Sequence, residues 1–265
     1  MSGRLDQNVI LITGSTGIAA ETAKLAAREG ALLFVASRTE EHCRELAGEI
    51  RAAGGRCEFL AADLADSGSA GRVLERCLET FGRLDALYNV AGVSGRRWGD
   101  GPLHECSEEG WNATMDTNAK SMFLMCRAAL NHFLKQPVGA SGLRGSILNM
   151  ASVLAWSPQP RFFATHAYAA SKGAIIAMSK AMASYYAPHK IRVNVIAPAL
   201  VLTPMSRRAQ ADPELTAFMR NKQPLTGGII DAGEVARVSV FLLSNDARAV
   251  TGDVITVDAG WSVTG

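Results

Sequence analysis

Charge of one sign is what this chain most lacks. Lys and Arg number 27 against 25 Asp and Glu, a formal net charge of +2, so no basic face announces a nucleic-acid partner. Charged residues are only 20% and hydrophobic ones 48%, which excludes a solvated, disordered chain and leaves material for a core. No apolar run approaches the roughly 20 residues of a membrane-spanning helix. The opening segment MSGRLDQNVILITGS holds an apolar run only from Val9 to Ile12, too short for a secretory signal. The five cysteines, Cys43, Cys57, Cys77, Cys106 and Cys126, are dispersed without a CxxC pair, which argues against a disulfide framework and against a zinc site. The expectation is a soluble, cytoplasmic protein with no membrane, nucleic-acid or metal partner, its cysteines acting as small buried hydrophobes.

What is present is an alternation. Short apolar runs rich in β-branched residues, NVILIT (8–13), ALLFVAS (31–37), CEFLAADL (57–64), LDALYNVAG (84–92), GSILNMAS (145–152), IRVNVIAP (191–198) and DVITVDAG (253–260), read as strands. Between them lie helix-period segments: 18–29, 39–54, 67–82, a long one from Ser107 to Lys135, and His166 to Tyr186. Strands apolar throughout are buried on both faces, as in parallel sheets. The fold class expected is α/β: a single Rossmann-type doubly wound parallel sheet of about seven strands with helices on both faces. The 265 residues suit one such domain, without internal linker or repeat. The Gly- and Pro-containing stretch 136–145 reads as a surface excursion.

The first strand runs into Thr13-Gly14-Ser15-Thr16-Gly17-Ile18-Ala19 and a helix follows at once. Such a turn lets backbone N–H groups face a phosphate, with Gly14 and Gly17 removing side chains where a pyrophosphate approaches. A tight turn without ligand is the plainer alternative. The second strand ends in Ser37-Arg38, where NAD-specific folds carry an acidic residue. A guanidinium there attracts a 2′-phosphate, so NADP(H) is preferred, with NAD(H) left open. A solvated Arg at a helix start is the bland reading of the same residue.

Tyr168 and Lys172 stand four residues apart in Tyr168-Ala169-Ala170-Ser171-Lys172, on one face of a helix. A nearby ammonium lowers a phenol from its ordinary value of about 10 towards neutrality and makes a general acid/base. YxxxK alone is common by chance. Its context here is Ser152 closing the fifth strand, Asn118 in the long helix, and Asn89-Val90-Ala91-Gly92 ending the fourth strand.

Together these residues resemble the short-chain dehydrogenase/reductase family, in the manner of 3-oxoacyl-carrier-protein reductases. The resemblance runs over nearly the whole chain and is carried by TGSTGIA, Asp63-Leu64, NVAG, Asn118, Ser152, YAASK, Ile191 to Pro198 with Thr203, and the tail VTGDVITVDAGW. It implies that Tyr168 is the general acid/base, that Lys172 holds the nicotinamide ribose and lowers the Tyr pKa, that Ser152 orients the carbonyl or hydroxyl, and that Asn118 maintains a proton-relay water. It further implies that the turn from Gly14 through Ser15, Thr16, Gly17 and Ile18 takes the pyrophosphate and that Asp63 and Leu64 flank the adenine. Asn89, Ala91 and Gly92 then support the cofactor, and Pro198 and Thr203 hold the nicotinamide end. The chain departs from the family pattern in four places: Gly14 and Gly17 are one residue closer than usual, Ala19 replaces a Gly, Ser152 to Tyr168 is longer by about three residues, and Ala199 stands where Gly commonly follows Pro198. Trp156, Pro158, Pro160, Phe162, Phe163 and His166 fill that longer interval and are expected to line the pocket or core.

The resemblance thus implies an NADP(H)-dependent oxidoreductase acting on a small-molecule carbonyl or secondary alcohol, one catalytic domain over 1–265 with a substrate lid around 200–224, and a homotetramer. A 3-oxoacyl-carrier-protein reductase and, from another class, a non-catalytic dinucleotide sensor are the alternatives. Arg96, Arg97 and Trp98, after the fourth strand, are expected at the cleft mouth, where they either receive an anion or sit in a solvated loop.

Overall fold

The computed structural model describes residues 3–264. Its strands are β1 (Val9–Thr13), β2 (Leu32–Ser37), β3 (Arg56–Ala61), β4 (Ala86–Asn89), β5 (Gly145–Met150), β6 (Ile191–Pro198) and β7 (Val254–Val257). All pair in parallel, in the order β3-β2-β1-β4-β5-β6-β7. The helices are α1 (Ile18–Arg28), α2 (Glu40–Ala52), α3 (Ser69–Phe81), α4 (Glu108–Met115), α5 (Ser121–Phe133), α6 (His166–Tyr186), α7 (Arg207–Gln210), α8 (Pro213–Lys222) and α9 (Ala232–Leu243).

Alternation along the strands divides the core. In β1, Ile10 and Ile12 enter one cluster with α1, α2 and α9, while Val9 and Leu11 enter another with α3, α5 and α6. This is the period of two expected of a pleated strand, with both faces apolar because helices cover both. A smaller cluster, Val153, Ala209, Leu215, Met219 and Trp261, ties α7 and α8 to the loop after β5.

The expected strands are all present. Two features differ. The long helix from Ser107 to Lys135 is interrupted by a π-turn over Asp116–Lys120, and such turns recur at functional sites. Helix α9 has no counterpart among the expected elements. Asp231 starts it by accepting from the Gly233 amide at 2.8 Å, and seven of its residues are buried, among them Val235, Val240 and Leu243. No helix among the described residues is long and apolar enough to cross a membrane.

Candidate active site

The strand order reverses between β1 and β4, the place where a doubly wound sheet opens a ligand crevice at its carboxyl ends. Thr13 joins the two strands there: its Oγ1 accepts from the Val90 and Ala91 amides at 3.0 and 3.2 Å. A cleft of about 420 Å³ follows the carboxyl edge of the sheet. Gly14, Ser15, Thr16, Gly17 and Ile18 line it after β1, Ser37 and Arg38 after β2, and Asp63 and Leu64 after β3. Ala91 and Gly92 follow from β4, Ser152 from β5, and Pro198 and Thr203 from β6, with Tyr168 and Lys172 coming from α6.

The shorter glycine turn still opens onto a helix N-terminus. Gly14 has φ +98 and Gly17 φ +57, and α1 begins without a side-chain cap, so its first amides remain available to a ligand. A Cβ on Gly17 would lie 3.0 Å from Thr203 Cβ; the turn and the segment after β6 close on one another there. Gly92 is equally constrained: a Cβ would stand 2.9 Å from Asn118 Oδ1 and 3.6 Å from Lys172 Nζ. Bare backbone beside an uncapped helix start, with Arg38 on the rim, fits the phosphates of a dinucleotide. Asp63 is the one carboxylate among the described lining residues, against Arg38, Arg96, Lys172 and Arg208.

Two predicted residues stand behind the cleft rather than in it. Asn118 sits in the π-turn and is fully buried. Its Oδ1 accepts from the Val93 amide at 2.7 Å, and its Nδ2 donates to Val93 O and Ser171 Oγ, each at 3.0 Å. Ser171 in turn donates to Tyr168 O at 2.7 Å. Asn118 therefore links the loop after β4 to the first turns of α6. Asn89 is also buried and donates to Asn149 Oδ1 at 2.9 Å, tying β4 to β5.

Lys172 is 3% exposed. Its Nζ donates to Met150 O at 3.0 Å and lies 5.5 Å from the Tyr168 ring centre. Burial pulls its ammonium down to about 8. The Tyr168 phenol goes the other way: burial pushes it above its ordinary value, and the Ser152 hydroxyl opposes this. The expected lowering of the phenol by Lys172 is thus outweighed in the protein alone, because desolvation dominates.

The start of α6 has a partner with no local sign in the sequence. The N-cap Thr165 makes no side-chain cap; instead Asp100 Oδ1 and Oδ2 accept from the Ala167 and Tyr168 amides at 3.0 and 2.9 Å. The pairing spans more than 60 residues, so no N-terminal motif could reveal it. His166 is exposed at this end, its Nδ1 accepting from the Leu103 amide at 3.0 Å, which corrects its expected place in the pocket or core. Of the other residues filling the longer interval, Phe163 lines the cleft and packs edge-on against Trp261 at 5.7 Å. Trp156 is 44% exposed, and Pro158, Pro160 and Phe162 do not line the cleft. Of the Arg96–Trp98 turn only Arg96 lines it; the Arg97 guanidinium stacks 3.8 Å above the Trp98 ring.

A family model described as enoyl-(acyl carrier protein) reductase matches residues 12–262. A 2,5-dichloro-2,5-cyclohexadiene-1,4-diol dehydrogenase of Sphingobium indicum is 34% identical over 264 residues, 99% of each chain. An A-factor type gamma-butyrolactone 1′-reductase of Streptomyces virginiae is 36% identical over 267 residues, 98% of each. Among solved structures, a 3-ketoacyl-(acyl-carrier-protein) reductase from Brucella melitensis, complexed with NADH, superposes with a TM-score of 0.86 at 30% identity over 98% of this chain and all of that one.

Proposed function

Because the chain belongs to the short-chain dehydrogenase/reductase family and is an oxidoreductase, we propose that it is an NADP(H)-dependent carbonyl reductase or alcohol dehydrogenase with Tyr168 as its proton donor. The observation that carries this reading is that Ser152, Tyr168 and Lys172 line one cleft with the glycine turn and Arg38. When bound, the nicotinamide cofactor supplies or accepts the hydride. The chain's own residues do the rest. Ser152 orients the substrate oxygen, and the Tyr168 phenol gives that oxygen a proton during reduction. Lys172 holds the nicotinamide ribose, and Pro198 and Thr203 hold the nicotinamide end. Asn118 acts through position, since its side chain is taken by Val93 and Ser171.

At the other end, Asp63 and Leu64 flank the adenine, and Arg38 pairs with the 2′-phosphate, for which Ser37 leaves room. The whole chain, 1–265, works as one catalytic unit in which 200–224 closes over the substrate and excludes water. The exposed Trp111 and Phe123 on α4 and α5, 40% and 43% accessible, and Tyr185 at 68% on α6 support self-association into a tetramer with two-fold interfaces. Light scattering at micromolar concentration should give the mass of four chains; a monomer would contradict it. The function is tested with a panel of ketones, sugars and acyl thioesters, following NADPH and NADH absorbance. Turnover of a ketone with NADPH is expected; cofactor binding without turnover of any member would favour a sensor.

A further inference from the structure

Beside the cleft, two guanidinium groups that line it, from distant parts of the chain, meet on one backbone atom. Arg96, in the short turn after β4, donates from Nη2 to Phe162 O at 2.8 Å. Arg208, in α7, donates from Nη2 to the same oxygen at 3.2 Å. Both line the cleft. Neither forms a salt bridge among the described residues. Asp100, the carboxylate that faces Arg96, has both oxygens occupied by the α6 amides, and the neighbouring Glu214 is held by Arg161. Partial burial and the charge of Arg208 both hold the Arg96 guanidinium below its ordinary value, with Asp100 opposing them, while both guanidiniums remain open to an incoming ligand.

We infer that Arg96 and Arg208 form a clamp for a carboxylate carried by the substrate, which is therefore an oxo acid or hydroxy acid rather than a neutral ketone. The inference deepens the oxidoreductase reading of this cleft and rests on it. Two guanidiniums converging on one point retain several N–H donors each, and a planar carboxylate satisfies them in a bidentate manner. The cofactor phosphates do not meet this need, since the glycine turn and Arg38 stand at the ends of β1 and β2, whereas Phe162 lies in the loop between Ser152 and Tyr168. The apolar side chains of Val153, Leu154, Phe163 and Trp261 also line the cleft and suit an aliphatic or aromatic spacer between the reacting carbonyl and the carboxylate.

The test uses straight-chain oxo acids with the ketone three to six carbons from the carboxylate, each beside its methyl ester. Kinetics are followed with NADPH, and binding of the same pairs by calorimetry. Wild type should prefer at least one acid over its ester by ~10-fold or more in kcat/KM. Arg96→Gln and Arg208→Gln should erase that preference chiefly through KM, and Arg208→Lys should restore part of it. Equal handling of acid and ester by wild type, or a preference that survives both substitutions, overturns the clamp while leaving the reductase reading intact. An arginine-dependent preference for acetoacetyl-coenzyme A over every oxo acid overturns it too, because the pair would then serve a phosphate-bearing carrier. If nothing is turned over, the reductase reading fails. Arginine-dependent binding of acid but not ester then still supports the clamp, and equal or absent binding of both overturns it.

Discussion

The two edges of the sheet handle buried cations in opposite ways, and strand β6 carries evidence of both. Near its amino end Arg192, 3% exposed, donates to Leu242 O, Ser244 O and Val250 O at 2.8, 3.2 and 3.3 Å. It satisfies carbonyls at and beyond the C-terminus of α9, where a cation is favoured. Nearby Asp85 accepts from the Val9 amide at 2.9 Å and pairs with Arg83. At the carboxyl edge, Lys172 is equally buried but meets one carbonyl, and α1 starts without a side-chain cap. At the amino edge Arg192 and Asp85 find carbonyl, amide and guanidinium partners within the chain, although Arg192 Nε and the paired strand's Ser146 Oγ find none among the described residues. The carboxyl edge leaves donors for something else. That difference, more than the identity of any residue, separates a structural end from a functional one.

Tyr168→Phe tests the functional edge with the largest effect. It keeps the ring and removes the proton, so turnover should fall by ~10²-fold or more while cofactor binding persists; steady-state rates beside an NADPH titration check it. Arg192→Met should do the reverse. It removes three hydrogen bonds, although Val250 O keeps Asn194 Nδ2 and Ser244 O keeps the Ala247 amide, and should cost about 2 kcal/mol of stability, read by denaturant unfolding, with turnover of the folded enzyme retained. A loss of turnover without loss of stability would break the comparison.

Arg38→Ala should weaken NADPH by about tenfold and NADH far less, since only NADPH carries the paired phosphate. Ser37→Asp added to it should turn the preference towards NADH. Dissociation constants at one ionic strength measure both. The smallest effect is a pH dependence. Lys172 is held at about 8 in the folded chain against an ordinary 10.5, so the unfolded state binds more protons above pH 8. Stability of wild type relative to Lys172→Met should therefore rise with pH, by ~1 kcal/mol between pH 7 and 9. Unfolding of both proteins across that range gives the sign.

Legibility in the sequence followed the range of the interactions. Strand β6 and helix α6 begin and end where the apolar pattern places them, because a β-branched run closed by Pro198 and a long Ala-rich segment are local signals. The glycine turn and YAASK were readable as contiguous motifs. The π-turn was not, since what holds Asn118 is Val93, 25 residues away. Helix α9 was hidden by its Val-rich stretch, whose apolar run suits strand as well as helix. The bracing by Asp100 and the meeting of Arg96 with Arg208 depend on tertiary placement, as does the pKa of Tyr168, which burial sets against the direction that spacing alone implies.

The central claim is that the carboxyl edge, with its bare helix start, is a dinucleotide site. Calorimetric titration with NADPH of wild type and Thr16→Glu tests it most directly. Thr16 is exposed in the turn before α1, so a carboxylate there suits the helix N-terminus and spares the fold while repelling a pyrophosphate. One NADPH bound per wild-type chain, and binding lost in Thr16→Glu with an unchanged melting temperature, is the predicted result. No saturable binding to wild type, or equal affinity in the variant, would contradict it.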